Sequence, residues 1–390
     1  MAGENGGVAL KITDVKAHPM SIPRPQPSWT AHEITTEATL ILVEVQTDAG
    51  LVGYGEVQSG PLPQICRLIE QFGDIIRGMD ALAHLEVWEK LFALTSPRPG
   101  GIGGRDGLPP PLPRGQRPQI MAAIGGIDIA LWDIKGKVAN MPVYQLLGAS
   151  QRALFTYATG GYYVEGAPLT ACAEELGSYV AAGYRAVKLK TGGMSMHDEL
   201  IRIRATREAI GNAMLMLDMN APYDVHDCIT FAHAVEPYNI FWLEEPLHWY
   251  LQPADYVRLA DAISIPLAHG EREWTRFTIR DFITSGAIRF VQFDATRYAG
   301  FTEALRIAHL AEQHRVWIAP HTAPHIHGHI VAAFGTHAFG VESHGDPERH
   351  PMQHGLYREG PEVRDGMVYL NALPGLGIDI DWAFVNKHRA

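Results

Sequence analysis

The chain has little of what secreted, membrane-spanning or nucleic-acid-binding proteins need. Only three cysteines occur in 390 residues, Cys66, Cys172 and Cys228. They are odd in number, far apart and without metal-type spacing, which excludes a disulfide framework and fits reduced thiols in a cytoplasmic protein. No uninterrupted apolar run approaches the ~18 residues of a membrane span, and the opening MAGENGGVALKITDV has no apolar core behind a basic start. Positive charge is in deficit: 32 Lys and Arg stand against 43 Asp and Glu, a formal net charge of −11. Neither nucleic acid nor an anionic membrane is drawn to such a surface, whereas a small anion is admitted wherever a local positive centre exists. Glycine and proline crowd into SPRPGGIGGRDGLPPPLPRGQRP, residues 96–118. That stretch follows no strand and opens no helix in the spacing of a phosphate loop, so it reads as a loop or lid and not as a nucleotide site.

Apolar residues, by contrast, make up 46% of the chain, ample for a large core, and the length implies two domains or one barrel with attachments. ALKITDVKAHPM (9–20) and ATLILVEVQT (38–47) read as strands, and DAG turns the second into LVGYGEV, an antiparallel meander. Helical periods follow over 63–78, 83–94 and 120–139, the last with Gly125 and Gly126 placed for close packing. From residue 153 eight short apolar runs alternate with helical segments: FTYATG, AVKLK, LMLDMN, FWLEEP, PLAHGE, FVQFDA, VWIAPH and AFGVES. The polar residues closing the second to eighth runs are Lys190, Asp218, Glu244, Glu271, Asp294, His321 and Glu342, at intervals of 21 to 28 residues. A strand, a helix and two loops consume that length, and eight such units close into a barrel whose catalytic groups stand at the C-terminal strand ends.

Asp218, Glu244 and Glu271 therefore stand side by side. Three carboxylates repel one another in a dry cleft unless a cation joins them, and all-oxygen ligation with room for water or substrate suits one Mg²⁺ per site. By strand parity Glu245 faces away, while Asn220 shares the face of Asp218 and reaches toward a metal-bound group. Lys188 and Lys190 point to one side of the adjacent strand. Lys188 is expected to lower the proton affinity of Lys190, making it a usable base, and to hold a substrate carboxylate itself; salt bridges to the neighbouring acids account for the pair equally well. Asp294 is placed to orient and charge His321, leaving a substrate between Lys190 and His321. Glu342, if protonated, donates to a substrate carboxylate oxygen. PHTAPHIHGHI adds His325, His327 and His329; the first and last have helical spacing, but no third zinc ligand is identifiable, so the segment reads as a loop and helix start beside the site.

These motifs, in this order and along nearly the whole chain, resemble the enolase superfamily and within it the mandelate racemase group: the KLK pair, LDMN, WLEEP, HGE, the Asp of QFDATRYAG, the His of APHTAPH and the Glu of GVES. The resemblance implies an α/β fold, a modified TIM barrel over residues 136–365, with an α+β capping domain over 1–135 closed by a C-terminal segment, 366–390. It implies capping loops around PRPQPSWTAHE and YGEVQSG that select the substrate, with Trp29, His32 and Gln58 as specificity residues, and assembly into a homo-oligomer. It also implies roles: Asp218, Glu244 and Glu271 as metal ligands, Lys190 and His321 as the acid/base pair, Asp294 as the histidine's partner, Lys188 as carboxylate-binding lysine and Glu342 as electrophilic donor. The step such enzymes share is removal of the proton α to a carboxylate, giving an enediolate stabilised by Mg²⁺. Its fate stays open between loss of a β-hydroxyl and racemisation, epimerisation or cycloisomerisation. The pattern resembles acid-sugar dehydratases, and GEREWTRF (270–277) is similar to a segment of L-rhamnonate dehydratases, whereas the lysine pair fits mandelate racemase better. The expectation is dehydration of an aldonate or aldarate to a 2-keto-3-deoxy acid.

Overall fold

Alternation along the first strands divides their side chains between two cores. In the computed structural model, which describes residues 9–96 and 112–390, β1 (Ile12–Trp29), β2 (Ile34–Thr47) and β3 (Val52–Val57) form the expected antiparallel meander, with Val15 opposite Val45 and Ile41 opposite Val57. Ile41, Val43 and Val45 pack against α1 (Leu62–Ile76), α2 (His84–Ala93) and α3 (Arg117–Ala139), whereas Leu40 and Leu42 face the C-terminal return. Most of the Gly/Pro-rich stretch 96–118, and with it the lid reading, lies outside the described residues.

Glycines set the distance between α3 and β3. A Cβ on Gly126 would stand 2.6 Å from Val57 Cγ2 and 2.7 Å from Val43 Cγ2, and one on Gly55 would fall onto the backbone carbonyl of Gly126. Backbone cannot swing aside, so Gly55→Ala is expected to cost about 2 kcal/mol or more of stability, read as a lower urea midpoint. The division expected after residue 135 falls inside α3, which runs unbroken for 23 residues. The helix serves both halves: it packs on β3, and its Trp132 indole donates to Thr302 Oγ1 at 3.1 Å on the barrel side.

After α4 (Val143–Leu146), all eight apolar runs appear as strands: β4 (Ala153–Gly160), followed by the short β5 (Tyr163–Val164) that pairs with the end of β1, then β6 (Ala186–Lys190), β7 (Met214–Asp218), β8 (Ile240–Glu244), β9 (Leu267–His269), β10 (Phe290–Val291), β11 (Trp317–Ile318) and β12 (Val341–His344). Parallel pairing runs from β4 through β6 to β11, β12 returns to pair with β4, and an isolated bridge between Ile318 and Ala338 completes the ring. Helices α5 (Ala171–Ala181), α6 (Met196–Ile210), α7 (Val225–Val235), α8 (Pro253–Ala262), α9 (Arg276–Thr284), α10 (Gly300–Gln313) and α11 (Pro324–Phe334) alternate with the strands. Ser195, Asp224 and Thr275 cap three of them, accepting from the backbone N–H of Asp198, Asp227 and Phe277. Tyr157, Met216, Trp242, Phe290 and Ala319 plug the barrel interior, so function is confined to one end.

The expected boundary at 365/366 lies in the turn of a hairpin, β13 (Glu362–Arg364) with β14 (Met367–Tyr369), and β14 pairs with β4. Beyond it the chain returns to the cap as the resemblance implied. Ser21 N donates to His388 O and Ala390 N to Pro19 O, both at 3.0 Å. Among the described residues no helix is long and apolar enough to cross a membrane.

Candidate active site

Strand register brings the charged residues together. Lys190 is the pairing partner of Asp218 and Asp218 that of Glu244, so the ends of β6, β7 and β8 form one row. Glu271 follows β9, and one carboxylate oxygen from each of Asp218, Glu244 and Glu271 lies within 4.8 Å of the others. Just past these ends the backbone is left-handed at Asn220, Ala221, Glu245, Thr322 and Ala323, with φ between 42° and 64°. Such conformations are uncommon for residues with a Cβ and gather where a site is built.

The donor set fits a hard divalent cation. Its members are carboxylates, all three are buried, and Glu271 Oε2 has no hydrogen-bond partner among the described residues. Burial and neighbouring Asp218 push Glu244 well above the usual carboxylate range, the behaviour of like charges packed together. Trp242 Nε1 and Gln292 Nε2 donate to Glu244 Oε2 at 3.2 and 2.6 Å, fixing its orientation. Burial opposes charge on Glu271 as well, but His321, Arg297 and Arg272 hold it well below that range, with Arg297 Nη1 2.9 Å from Oε1.

Both lysines engage these acids, and here two expectations are corrected. Lys188 is fully buried beneath the mouth, 2.6 Å from Glu244, 2.9 Å from Glu342 and 3.3 Å from Asp218, and it does not line the cavity. It balances carboxylates instead of presenting its ammonium to a substrate. Lys190 does line the cavity, bonded to Asp218 and 3.2 Å from Asn220 Oδ1. Burial lowers its proton affinity and so, as anticipated, does Lys188, but the touching Asp218 carboxylate together with Tyr162 and Glu271 outweighs them and holds Lys190 above the ordinary lysine range.

Asp294 and His321 meet as expected, with Nδ1 2.8 Å from Oδ2. Asp294 Oδ1 accepts from Thr296 N and Oγ1 at 2.8 and 2.7 Å, which fixes the carboxylate and leaves His321 Nε2 toward Glu271 at 3.4 Å. Burial opposes ionisation of Asp294, yet the His321 hydrogen bond lowers it to about 2. A depressed carboxylate stabilises the fold above its unfolded value, about 4, and loses that contribution as pH falls through about 2. Asp294→Asn should therefore lose less stability than wild type between pH 5 and pH 2 in denaturant titrations. Burial opposes ionisation of Glu342, but Lys188, His321 and His344 together hold it below the usual carboxylate range, and it accepts from Thr159 Oγ1 and, at 3.1 Å, from Thr322 N.

A cavity of about 420 Å³ joins barrel to cap. Lys190, Asn220, Glu271, His321 and Thr322 line one end; Arg24, Thr30, Glu33, Glu56 and Gln58 come from the cap. Both anticipated capping segments thus reach it, and Gln58 does so itself. Trp29 and His32 are not among its lining residues: Trp29 stacks on Tyr163 at 5.8 Å, and His32 Nε2 is taken by Ala221 O at 2.7 Å. The clustered histidines serve separate ends. His325 pairs with Glu56 at 2.8 Å, His327 accepts from Ala295 N at 2.9 Å, and His329 accepts from Tyr144 N at 3.1 Å. Sequence reading missed Tyr162, Arg272, Arg297, His344, Arg349 and His350, all lining the cavity; only Arg272 and Arg297 carried a signal, beside Glu271 and three residues past Asp294.

Residues 12–148 match the mandelate racemase / muconate lactonizing enzyme N-terminal domain, and residues 171–384 the enolase C-terminal domain-like family. Arabinonate dehydratase of Saccharolobus solfataricus is 28% identical over 382 residues, covering 95% of this chain and 91% of that protein. D-galactarolactone cycloisomerase of Agrobacterium fabrum is 31% identical over 397 residues, with 97% and 99% covered. Among solved structures, a mutant L-talarate/galactarate dehydratase liganded with Mg and L-glucarate has a TM-score of 0.85 at 27% identity, over 100% of this chain and 95% of that one.

Proposed function

Because the chain belongs to the mandelate racemase and muconate lactonizing enzyme family of the enolase superfamily, we propose that it is a Mg²⁺-dependent sugar-acid dehydratase, a lyase that converts an aldonate or aldarate to a 2-keto-3-deoxy acid. The observation that carries this reading is a single polar cavity lined at once by Lys190, His321 and Glu271 of the three-carboxylate set. On Asp218, Glu244 and Glu271, Mg²⁺ would supply the positive charge that an enediolate needs.

The residues then divide the proton work. Lys190, once its ammonium leaves Asp218, has Lys188 as the neighbour that favours its free amine, and it removes the α proton. Asn220, beside it, keeps the amine directed into the cavity. His321, held through Nδ1 by Asp294, delivers a proton from Nε2 to the β-hydroxyl. The C–O bond breaks, water leaves, and the electron pair of the enediolate forms the new double bond between the α and β carbons. The resulting enol takes a proton at the β carbon and becomes the 2-keto-3-deoxy acid. Arg272 and Arg297 keep Glu271 anionic beside His321 throughout.

A second reading, cycloisomerisation or epimerisation through the same enediolate, is favoured by the similarity to D-galactarolactone cycloisomerase. Incubating the Mg²⁺-loaded enzyme with four- to six-carbon sugar acids and assaying for 2-keto acid separates them: keto product supports dehydration, and lactone or epimer without keto product supports the second reading. We place the enzyme in the cytoplasm, where its free cysteines stay reduced, and read it as a homo-oligomer by its family.

A further inference from the structure

The cavity also holds cationic and imidazole groups that the proton chemistry does not use. Arg24, on the edge of the cap, donates from Nη1 to Ser28 Oγ at 2.8 Å; its Nε is buried with no partner among the described residues. Arg349 is by contrast already engaged, 2.5 Å from Glu175 and 3.5 Å from Asp346. His344 and His350 stack with ring centres 3.6 Å apart, and His344 Nδ1 and His350 Nε2 are likewise buried and unpartnered. Arg24, His344, Arg349 and His350 all line the cavity that contains Lys190 and His321.

Tyr162 lies near both Lys190 and Arg349. Lys190 Nζ lies 5.4 Å and Arg349 Cζ 4.9 Å from the centre of its ring, so the two cations are no more than about 10 Å apart, within reach of a six-carbon chain. Buried polar atoms without partners cost free energy unless a ligand satisfies them. A guanidinium short of acceptors, beside a second guanidinium and two open imidazole nitrogens, matches a carboxylate better than a hydroxymethyl group, because the planar fork takes two oxygens at once.

We propose that Arg24, with His344 and His350, forms a second anion subsite, and that the substrate is a dicarboxylic sugar acid whose remote carboxylate binds there. This rests on the reading of the site as one for sugar acids. Arg24 is a substrate-binding residue in this scheme and takes no part in proton transfer.

Calorimetry on Mg²⁺-loaded Lys190→Ala protein, which does not turn ligand over, tests the subsite through affinity. The probes are matched pairs: galactarate with D-galactonate, D-glucarate with D-gluconate, and D-mannarate with D-mannonate. At least one diacid should bind about 30-fold tighter than its partner, the scale of a charge-assisted, two-point contact. Adding Arg24→Gln should remove that advantage while the monoacid Kd changes less than about threefold, and Arg24→Lys should retain part of it. The diacid preference needs no Arg24 variant, so it remains decisive if Arg24→Gln does not fold. Equal affinities, a preference for monoacids, loss of both ligands alike in Arg24→Gln, or binding of no diacid would each overturn the subsite. Turnover of the same pairs by wild type reports separately on dehydration: a diacid bound tightly through Arg24 with no keto product from any acid of the series upholds the subsite and defeats the lyase reading, and keto product without any diacid preference in binding does the reverse.

Discussion

Lys190→Ala is expected to slow exchange of the substrate α proton by on the order of 10³-fold, with Mg²⁺ affinity kept within about tenfold. Lys190 touches Asp218 and Asn220 and lines the cavity, whereas the ligand set itself is completed by Glu244 and Glu271 from other strands. Truncation therefore removes the amine without removing a carboxylate. Lys188, two residues back and buried under the mouth, does not line the cavity and cannot substitute for it. His321→Asn separates the two proton transfers. Exchange at the α carbon should persist, because Lys190 is intact, while loss of the β-hydroxyl stops. Proton NMR in D₂O reads both variants, and equal exchange in wild type and Lys190→Ala would remove Lys190 from the role of base.

Chelation should abolish turnover, by about 10³-fold or more, with recovery on adding Mg²⁺. The expectation follows from three buried carboxylates whose oxygens converge within 4.8 Å, and from the raised proton affinity of Glu244 among them. A thermal scan supplies a readout independent of activity: Mg²⁺ binds the native ligand set and not the unfolded chain, so Tm should rise with its concentration. Glu244→Gln removes one of the three charges and should flatten that rise as well as the activity. An unchanged Tm across millimolar Mg²⁺ in wild type would contradict the assignment of these three residues.

Much of this arrangement was legible in the residues because it depends on periodicity along the chain. Eight apolar runs ending in polar residues placed Asp218, Glu244 and Glu271 on neighbouring strand ends, and the step from Asp294 to His321 placed a carboxylate beside an imidazole. Period-two parity also put Lys188 and Lys190 on one side of β6, but parity says nothing about depth. Two residues further from the mouth, Lys188 is sealed against Glu244 and Glu342. The direction of the Lys190 shift was misjudged for a related reason, since the touching Asp218 outweighs Lys188 once register brings the two strand ends together. Tyr162, Arg349 and His350 carried no signal at all, and Arg24 carried only that of the anticipated capping segment PRPQPSWTAHE. They reach the cavity only where the edge of β1, the loop after β4 and the segment after β12 meet, and no local pattern encodes that meeting. Trp29 and His32 fell in the right segment but were claimed by Tyr163 and by the Ala221 carbonyl.

The measurement that bears most directly on the reaction is proton NMR in D₂O with Mg²⁺ across four- to six-carbon aldonates and aldarates. Dehydration requires the α-proton signal of one substrate to disappear as a 2-keto-3-deoxy acid grows in, carrying one deuterium at C3 from ketonisation of the enol. Wash-out of the α proton with recovery of substrate or its epimer, and no keto-deoxy product from any acid in the series, would contradict it.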